Sequence, residues 1–158
     1  MTSARRPDAA PRRMRGFTLM ELMLTVGLIG VLMGIAVPSY QSYRERIREN
    51  QAVREIAAMS ADIQRFALDR RAFPDSLADI GQAGRLDPWG RPYVYYNVEA
   101  NGKGGARKDH KLNPLNTDFD LYSPGKDGQT KKQITQKDSV DDVIRASNGR
   151  FIGRASDF

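Results

Sequence analysis

The sequence predicts an α+β protein in which one long amino-terminal helix precedes a small antiparallel sheet. Residues 17–37 form an apolar run of 21 residues with a single charged side chain, that of Glu21. Apolar residues then recur at three- and four-residue spacing as far as Phe66, which is typical of a helix that buries one face. Beyond Pro74, short aromatic and β-branched segments alternate with Gly- and Pro-containing segments, which is the pattern of strands and turns.

The apolar run predicts a single membrane anchor. At ~1.5 Å rise per residue it forms a helix about 30 Å long, the thickness of a bilayer's hydrocarbon core. Five arginines precede it and only Asp8 opposes them; they are Arg5, Arg6, Arg12, Arg13 and Arg15. Because basic flanks stay in the cytoplasm, we expect a cytoplasmic amino terminus in the inner membrane and an exported carboxyl side.

The junction before this run carries a distinctive motif. Residues 16–21 read Gly-Phe-Thr-Leu-Met-Glu, whereas an ordinary secretory signal has its cleavage site after the apolar run. The motif resembles the type IV prepilin signal. The resemblance implies that a prepilin peptidase cuts after Gly16 and methylates the new terminus at Phe17. The alternative is an uncleaved signal anchor in which Glu21 occurs by chance.

Three segments follow from this interpretation. We expect a leader over residues 1–16, a transmembrane assembly helix over 17–38, and a periplasmic head over 39–158 whose helix continues to about residue 71. Pro38 is expected to kink the helix. The leader holds five of the 25 basic residues and one of the 19 acidic residues, which leaves 20 basic and 18 acidic residues after cleavage. This near balance argues against a nucleic-acid partner.

Glu21 is the candidate assembly residue. An ionisable group inside a membrane helix costs on the order of 2.5–3.5 kcal/mol, so it usually has a partner or a task. Cleavage would expose an amine on Phe17, and low dielectric strengthens its attraction to a carboxylate of a neighbouring subunit. The resemblance implies that this pair registers an incoming subunit in a growing filament. The alternative is a carboxylate that reaches the lipid headgroups from the first helical turn.

The apolar stripe after the anchor falls into two parts. Tyr40, Tyr43 and Ile47 come first, and a break separates them from the stripe that begins at Val53. We expect the first part to pack on neighbouring subunits and the second part to pack on the protein's own head.

The head contains three motifs in order. They are residues 87–93 (Asp-Pro-Trp-Gly-Arg-Pro-Tyr), residues 118–123 (Asp-Phe-Asp-Leu-Tyr-Ser) and residues 125–128 (Gly-Lys-Asp-Gly). The predicted elements are a helical turn over 75–80, strands over 93–98 and 119–122, a loop over 101–114, a short helix over 139–146, and an apolar contact at Phe151 and Ile152.

Together with the amino-terminal motif, this series resembles the major pseudopilins of type II secretion systems, the protein G family. The resemblance implies a pilin-like fold and a subunit that polymerises into a periplasmic pseudopilus supporting protein export across the outer membrane. It implies as partners further copies of the chain, other pseudopilins, the prepilin peptidase with its methyltransferase activity, and the inner-membrane secretion platform.

A structural calcium ion is also expected. Calcium takes six to eight oxygen ligands from carboxylates and carbonyls of irregular loops. The resemblance implies as ligands the carboxylates of Asp127, Asp141 and Asp142 and the carbonyl of Pro124. The intervening loop is longer than is usual in the family and rich in lysine. The alternative is that these carboxylates only provide solvation and helix-start charge.

No catalytic constellation is visible, so we predict that the chain is not an enzyme. It has one histidine, His110, and no cysteine, which leaves too few ligands for zinc and no thiol chemistry. Asp118 and Asp120 share a strand face and could mimic a catalytic pair, but strand-edge solubility explains them more simply.

Two other functions stay open. One is a subunit of an extracellular type IV pilus, although such pilins commonly carry a Cys-bounded loop that this chain lacks. The other is a signal-anchored periplasmic binding protein or enzyme, which cleavage after Gly16 would argue against.

Overall fold

One continuous helix, α1, occupies Leu19–Arg70 and confirms the helix predicted from the apolar run to about residue 71. The computed structural model describes residues 16–158, and the chain divides into two units between Gln41 and Ser42. The leader arginines lie outside the described residues. Pro38 lies inside α1 and does not end it, and the hydroxyl of Ser39 donates a hydrogen bond to the carbonyl of Ile35 (3.0 Å).

The second unit contains a four-stranded sheet. Its elements are β1 (Val94–Asn97), the one-turn helix α2 (Val98–Asn101), β2 (Phe119–Ser123), β3 (Val143–Ala146) and β4 (Phe151–Arg154). The strand order is β1-β2-β3-β4 and every neighbouring pair is antiparallel, with Tyr95 opposite Leu121 and Tyr122 opposite Ile144. The strands predicted over residues 93–98 and 119–122 are therefore confirmed.

Short 3₁₀ turns lie between these elements and after the last strand. They lie at Leu77–Ile80, Lys137–Ser139, Ser147–Gly149 and Ala155–Asp157. The first confirms the turn predicted over residues 75–80. The backbone N–H of Ser76 donates to the carboxylate of Asp79 (2.9 Å), and Gly81 ends the turn at φ 72°. Glycine suits that position because it adopts positive φ without a steric cost.

The second half of α1 packs against the sheet. Its buried apolar residues join those of the strands in one cluster, whose buried members are Ala52, Ile56, Met59, Ile63, Tyr93, Phe119, Leu121 and Val143. Tyr40 and Tyr43, by contrast, are exposed over 62% and 63% of their surface, and Ile47 over 45%. The predicted division of the stripe is confirmed in that only its second part is buried in the chain's own head.

A second, smaller cluster also packs on the sheet. Its buried members are Leu115, Ile134, Ile144, Ala146 and Ala155. Neighbours along β3 alternate between the two clusters, since Val143 belongs to the first and Ile144 to the second. Strand β3 is therefore covered on both faces.

The short helix predicted over residues 139–146 is wrong. A 3₁₀ turn at Lys137–Ser139 precedes strand β3. All four residues of β3 are buried, so the strand shows no alternation of apolar and polar residues that would mark it in sequence. Phe151 and Ile152, which we expected only to make a late apolar contact, lie within strand β4.

Strand-edge solubility is the wrong explanation for Asp118 and Asp120. Asp118 precedes β2 and forms an ion pair with the buried Arg145 (Nη2 to Oδ2, 2.6 Å). Asp120 is buried, and its carboxylate accepts hydrogen bonds from the backbone N–H of Arg107 (2.7 Å) and the side-chain amide of Asn116 (2.8 Å). Burial raises the pKa of Asp120. Both carboxylates make contacts that stabilise the folded head.

Candidate functional site

The amino-terminal site begins just before α1. Gly16, Phe17 and Thr18 have no regular secondary structure, and Phe17 is 73% exposed. The hydroxyl oxygen of Thr18 accepts a hydrogen bond from the backbone N–H of Glu21 (3.2 Å), which is the geometry of a helix N-cap. Sequence reasoning assigned roles to Gly16, Phe17 and Glu21 but overlooked Thr18. Its signal was the Thr-x-x-Glu pattern of a capping box.

The first half of α1 presents a continuous apolar surface. Fourteen large side chains between residues 17 and 37 are each 50–80% exposed; they are Phe17, Leu19, Met20, Leu22, Met23, Leu24, Val26, Leu28, Ile29, Val31, Leu32, Met33, Ile35 and Val37. In the described part of the chain, α1 is the one helix long and apolar enough to cross a membrane. Exposed apolar surface of this extent marks a membrane or protein contact. Glu21 is exposed on this helix.

The head motif at residues 87–92 forms a turn around a buried carboxylate. Asp87 accepts hydrogen bonds from the backbone N–H groups of Trp89 (3.0 Å) and Arg91 (2.8 Å) and from the hydroxyl of Ser123 in β2. The indole N–H of Trp89 donates to Glu45 of α1 (2.7 Å). The turn therefore ties the helix to the end of strand β2.

The Gly-Lys-Asp-Gly motif is held from two sides. Arg91 donates to the carbonyls of Gly125 and Lys126, the latter at 2.8 Å. A Cβ on Gly125 (φ 66°) would overlap the backbone carbonyl of Asp141, and one on Gly128 (φ 72°) would overlap the side chain of Arg91. At both positions glycine avoids this overlap and adopts positive φ without a steric cost. The motifs singled out in the sequence thus form one connected structure.

The three carboxylates predicted to bind calcium do not form one metal-binding group. The carboxylate of Asp141 accepts from the backbone N–H of Asp127 (3.0 Å), and the carboxylate of Asp127 accepts from that of Gln129 (2.7 Å). Asp142 instead bonds to Arg107. Within residues 16–158, no group of three or more Asp, Glu or His side chains could hold a metal ion.

Asp142 Oδ1 is buried and has no hydrogen-bond partner within the described chain. Calcium takes six to eight oxygen ligands, and the other oxygen of this carboxylate already bonds to Arg107. The carboxylates of Asp127, Asp141 and Asp142 therefore do not fit a calcium site in this arrangement. Binding of the ion itself stays a prediction that calcium titration tests.

Arg107 is the residue that sequence reasoning missed in this region. It lies in the loop predicted over residues 101–114 and is only 3% exposed. Its Nη2 donates to Oδ2 of Asp142 (2.6 Å), its Nη1 donates to Thr130 (2.7 Å), and its guanidinium carbon lies 4.2 Å from the ring centre of Tyr122. Burial raises the pKa of Asp142 to about 6, against the opposing effect of Arg107.

Comparison with known proteins identifies the family. Residues 11–37 match the family described as the prokaryotic N-terminal methylation motif. The chain is 31% identical to type II secretion system core protein G of Escherichia coli strain K12, over 80% of this chain and 92% of that protein. It is 30% identical to the core protein G of Pseudomonas aeruginosa, over 75% and 87% respectively.

Fimbrial proteins are also similar. Type IV major fimbrial protein FimA of Dichelobacter nodosus is 33% identical over 62% of each chain. No solved structure matches the chain. The alignments cover 92% and 87% of these two core G proteins but only 62% of FimA. The chain belongs to the type II secretion system core protein G family, the pilin-like pseudopilins.

Proposed function

We propose that this chain is a structural subunit that polymerises into the periplasmic pseudopilus of a type II secretion system. The observation that carries the proposal is the likeness to core G proteins over nearly their whole length. The exposed apolar half of α1 supports it, because a filament core assembled from such helices would cover that surface.

Processing and location follow from the same proposal. The methylation motif spans the junction at Gly16 and Phe17, which makes the chain a substrate of the prepilin peptidase and its methyltransferase activity. Before assembly the apolar half of α1 anchors the chain once in the inner membrane, with its head in the periplasm. Its partners are then copies of itself, other pseudopilins and the inner-membrane secretion platform. The role is structural, without a catalytic step.

The experiment combines mass spectrometry of the mature chain with purification of filaments. We expect a mature terminus at Phe17 that carries an N-methyl group. A bulky replacement, Gly16→Leu, should leave the full-length form in the membrane, whereas Gly104→Leu, at an open position in the head, should be processed normally. A mature terminus beyond Val37 would contradict the proposal.

An extracellular type IV pilus is the second candidate, favoured by the similarity to FimA. The location of filaments separates the two functions. Filaments that depend on this chain and extend from the cell surface at native expression would favour the pilus. Loss of protein secretion on deletion of the chain, without loss of surface pili, would favour the pseudopilus.

A further inference from the structure

The loop between β2 and β3 needs an explanation for its order. It runs over residues 124–142 and contains few apolar residues, chiefly Ile134 and Val140. Ordering a chain costs conformational entropy, and burial of apolar surface is the usual source of compensation. Little of that compensation is available here.

Arg107 bonds to this loop at its carboxyl end. Its guanidinium reaches Asp142, and the hydroxyl of Thr130 bonds to the same carboxylate oxygen (2.7 Å), so both partners belong to the loop. The side chains of Arg107 and Asp142 are 4% and 0% exposed. A buried carboxylate requires an opposite charge, and Arg107 supplies it.

The backbone of Arg107 is fixed as well. Its N–H donates to the buried carboxylate of Asp120 in β2 (2.7 Å), and its carbonyl accepts from the N–H of Leu115 (2.9 Å). The next residue, Lys108, exchanges backbone hydrogen bonds with the loop at Lys132 (2.7 Å) and Ile134 (3.0 Å). These backbone hydrogen bonds fix the position of Arg107 independently of its side-chain contact with Asp142.

Arg91 bonds to the amino-terminal end of the same loop. Its guanidinium donates to the carbonyls of Gly125 and Lys126, and its side chain lies against Gly128. Carboxylates and backbone carbonyls are the oxygens that calcium prefers. Of the predicted calcium ligands, Asp142 is bonded to the guanidinium of Arg107, whereas Arg91 bonds to neighbouring carbonyls of the loop.

We propose that Arg107 takes the place of a calcium ion at Asp142 and that Arg91 fixes the amino-terminal end, so that the loop over residues 124–142 is ordered without a metal. A divalent ion at Asp142 would lie beside the buried Arg107 charge and be repelled by it. The planar guanidinium of Arg107 bonds to two loop side chains and stacks on Tyr122. It therefore orients the loop as a bound metal ion would.

The first test uses the wild-type full-length chain in detergent micelles. Thermal unfolding, followed by Trp89 fluorescence, should give the same Tm in millimolar Ca²⁺ and in chelator. Terbium is a luminescent probe of calcium sites. It should show no saturable binding that depends on Asp142, so the wild type and Asp142→Asn should give the same signal. A higher Tm in Ca²⁺ that is lost in Asp142→Asn would overturn the proposal.

The second test removes the arginine. Arg107→Ala leaves the Asp142 carboxylate buried and unpaired, and should lower the Tm by about 10 °C. Arg107→Lys keeps the positive charge but not the paired N–H donors of the guanidinium, and should recover only part of the lost Tm. The double variant Arg107→Met with Asp142→Leu should recover more, because it leaves no buried charge.

The control is Arg65→Ala, which breaks an ion pair with Asp62 on an arginine side chain that is 71% exposed and should leave the Tm unchanged. An Arg107→Ala protein that melts like the wild type would also overturn the proposal. If Arg107→Ala does not fold, the calcium measurement on the wild type decides alone. Neither test uses filaments, so its failure would not bear on the function proposed above.

Discussion

Gly125 lies where the chain has no room for a side chain. Its φ is 66°, and a Cβ there would overlap the carbonyl of Asp141. Gly84 has the same φ of 66° but open space around it. The two glycines therefore separate the cost of backbone conformation from the cost of close packing.

We predict that Gly125→Ala destabilises the head more than Gly84→Ala does. Both variants incur about 1–2 kcal/mol for an alanine in the left-handed region. Gly125→Ala adds about 1–3 kcal/mol because Asp141 must move. Urea unfolding followed by Trp89 fluorescence measures both. Equal losses would show that the approach of Asp141 is not needed.

Glu21 gives the prediction that concerns assembly. Glu21→Val removes a carboxylate that costs on the order of 2.5–3.5 kcal/mol in a membrane helix, so insertion and cleavage should be retained or improved. Filament yield should fall strongly, because the amine of a processed Phe17 loses its partner. Thr18→Val, which removes the N-cap but keeps the charge, is the matched control and should retain filaments. Normal filament yield from Glu21→Val would rule out the proposed pair.

The burial of two arginines could not be predicted from the sequence. Arg145 is fully buried, pairs with Asp118 and lies 3.9 Å over the ring of Phe119. Arg107 is buried against Asp142, 35 positions further along the chain. Arginine is almost never fully buried without a partner, and these partners are distant in sequence. Local patterns therefore present both residues as solvent-exposed, whereas Gly16, Phe17 and Glu21 belong to one contiguous motif that a sequence reveals directly.

Helices and strands were predictable from the sequence where their apolar residues recur at a regular spacing. The stripe of α1 extends over many turns, and its ends were predicted to within two residues. Strand β3 has four residues, is buried on both faces and contains Arg145, so neither helical nor strand periodicity marks it. The order β1-β2-β3-β4 depends on pairs such as Ser123 with Val143, across a loop whose composition gives no strand signal.

Two isoleucines on α1 test the division of its stripe. Ile56 is fully buried in the sheet-facing cluster, whereas Ile47 is 45% exposed. We predict that Ile56→Ala lowers the free energy of unfolding of the head by about 2–5 kcal/mol, since it removes buried methyl groups and leaves a cavity.

The same substitution at the exposed site, Ile47→Ala, should change the free energy of unfolding by no more than about 0.5 kcal/mol. Both variants are measured in the same urea titration. A large loss from Ile47→Ala would mean that this face of the helix already packs within one chain, and that it is not free to contact a neighbouring subunit.

At the scale of the whole molecule, the two units differ in what their apolar residues do. Every buried member of both core clusters lies at Ala52 or later, within the unit Ser42–Phe158. The apolar side chains of residues 17–37 are exposed and take no part in either cluster. The membrane-competent segment therefore contributes nothing to the described core of the head.

We predict that residues 42–158 alone form a soluble, folded monomer. Removal of the first unit takes away the exposed apolar surface and no core residue, so the Trp89 unfolding transition should stay within a few degrees of that of the full chain in detergent. Size-exclusion chromatography and thermal unfolding measure both properties. The matched control is residues 61–158, which lack Ala52, Ile56 and Met59 and should not fold. Aggregation of residues 42–158, or a non-cooperative transition, would show that the head needs the assembly helix for its own stability, and the two units could not then be assigned separate roles.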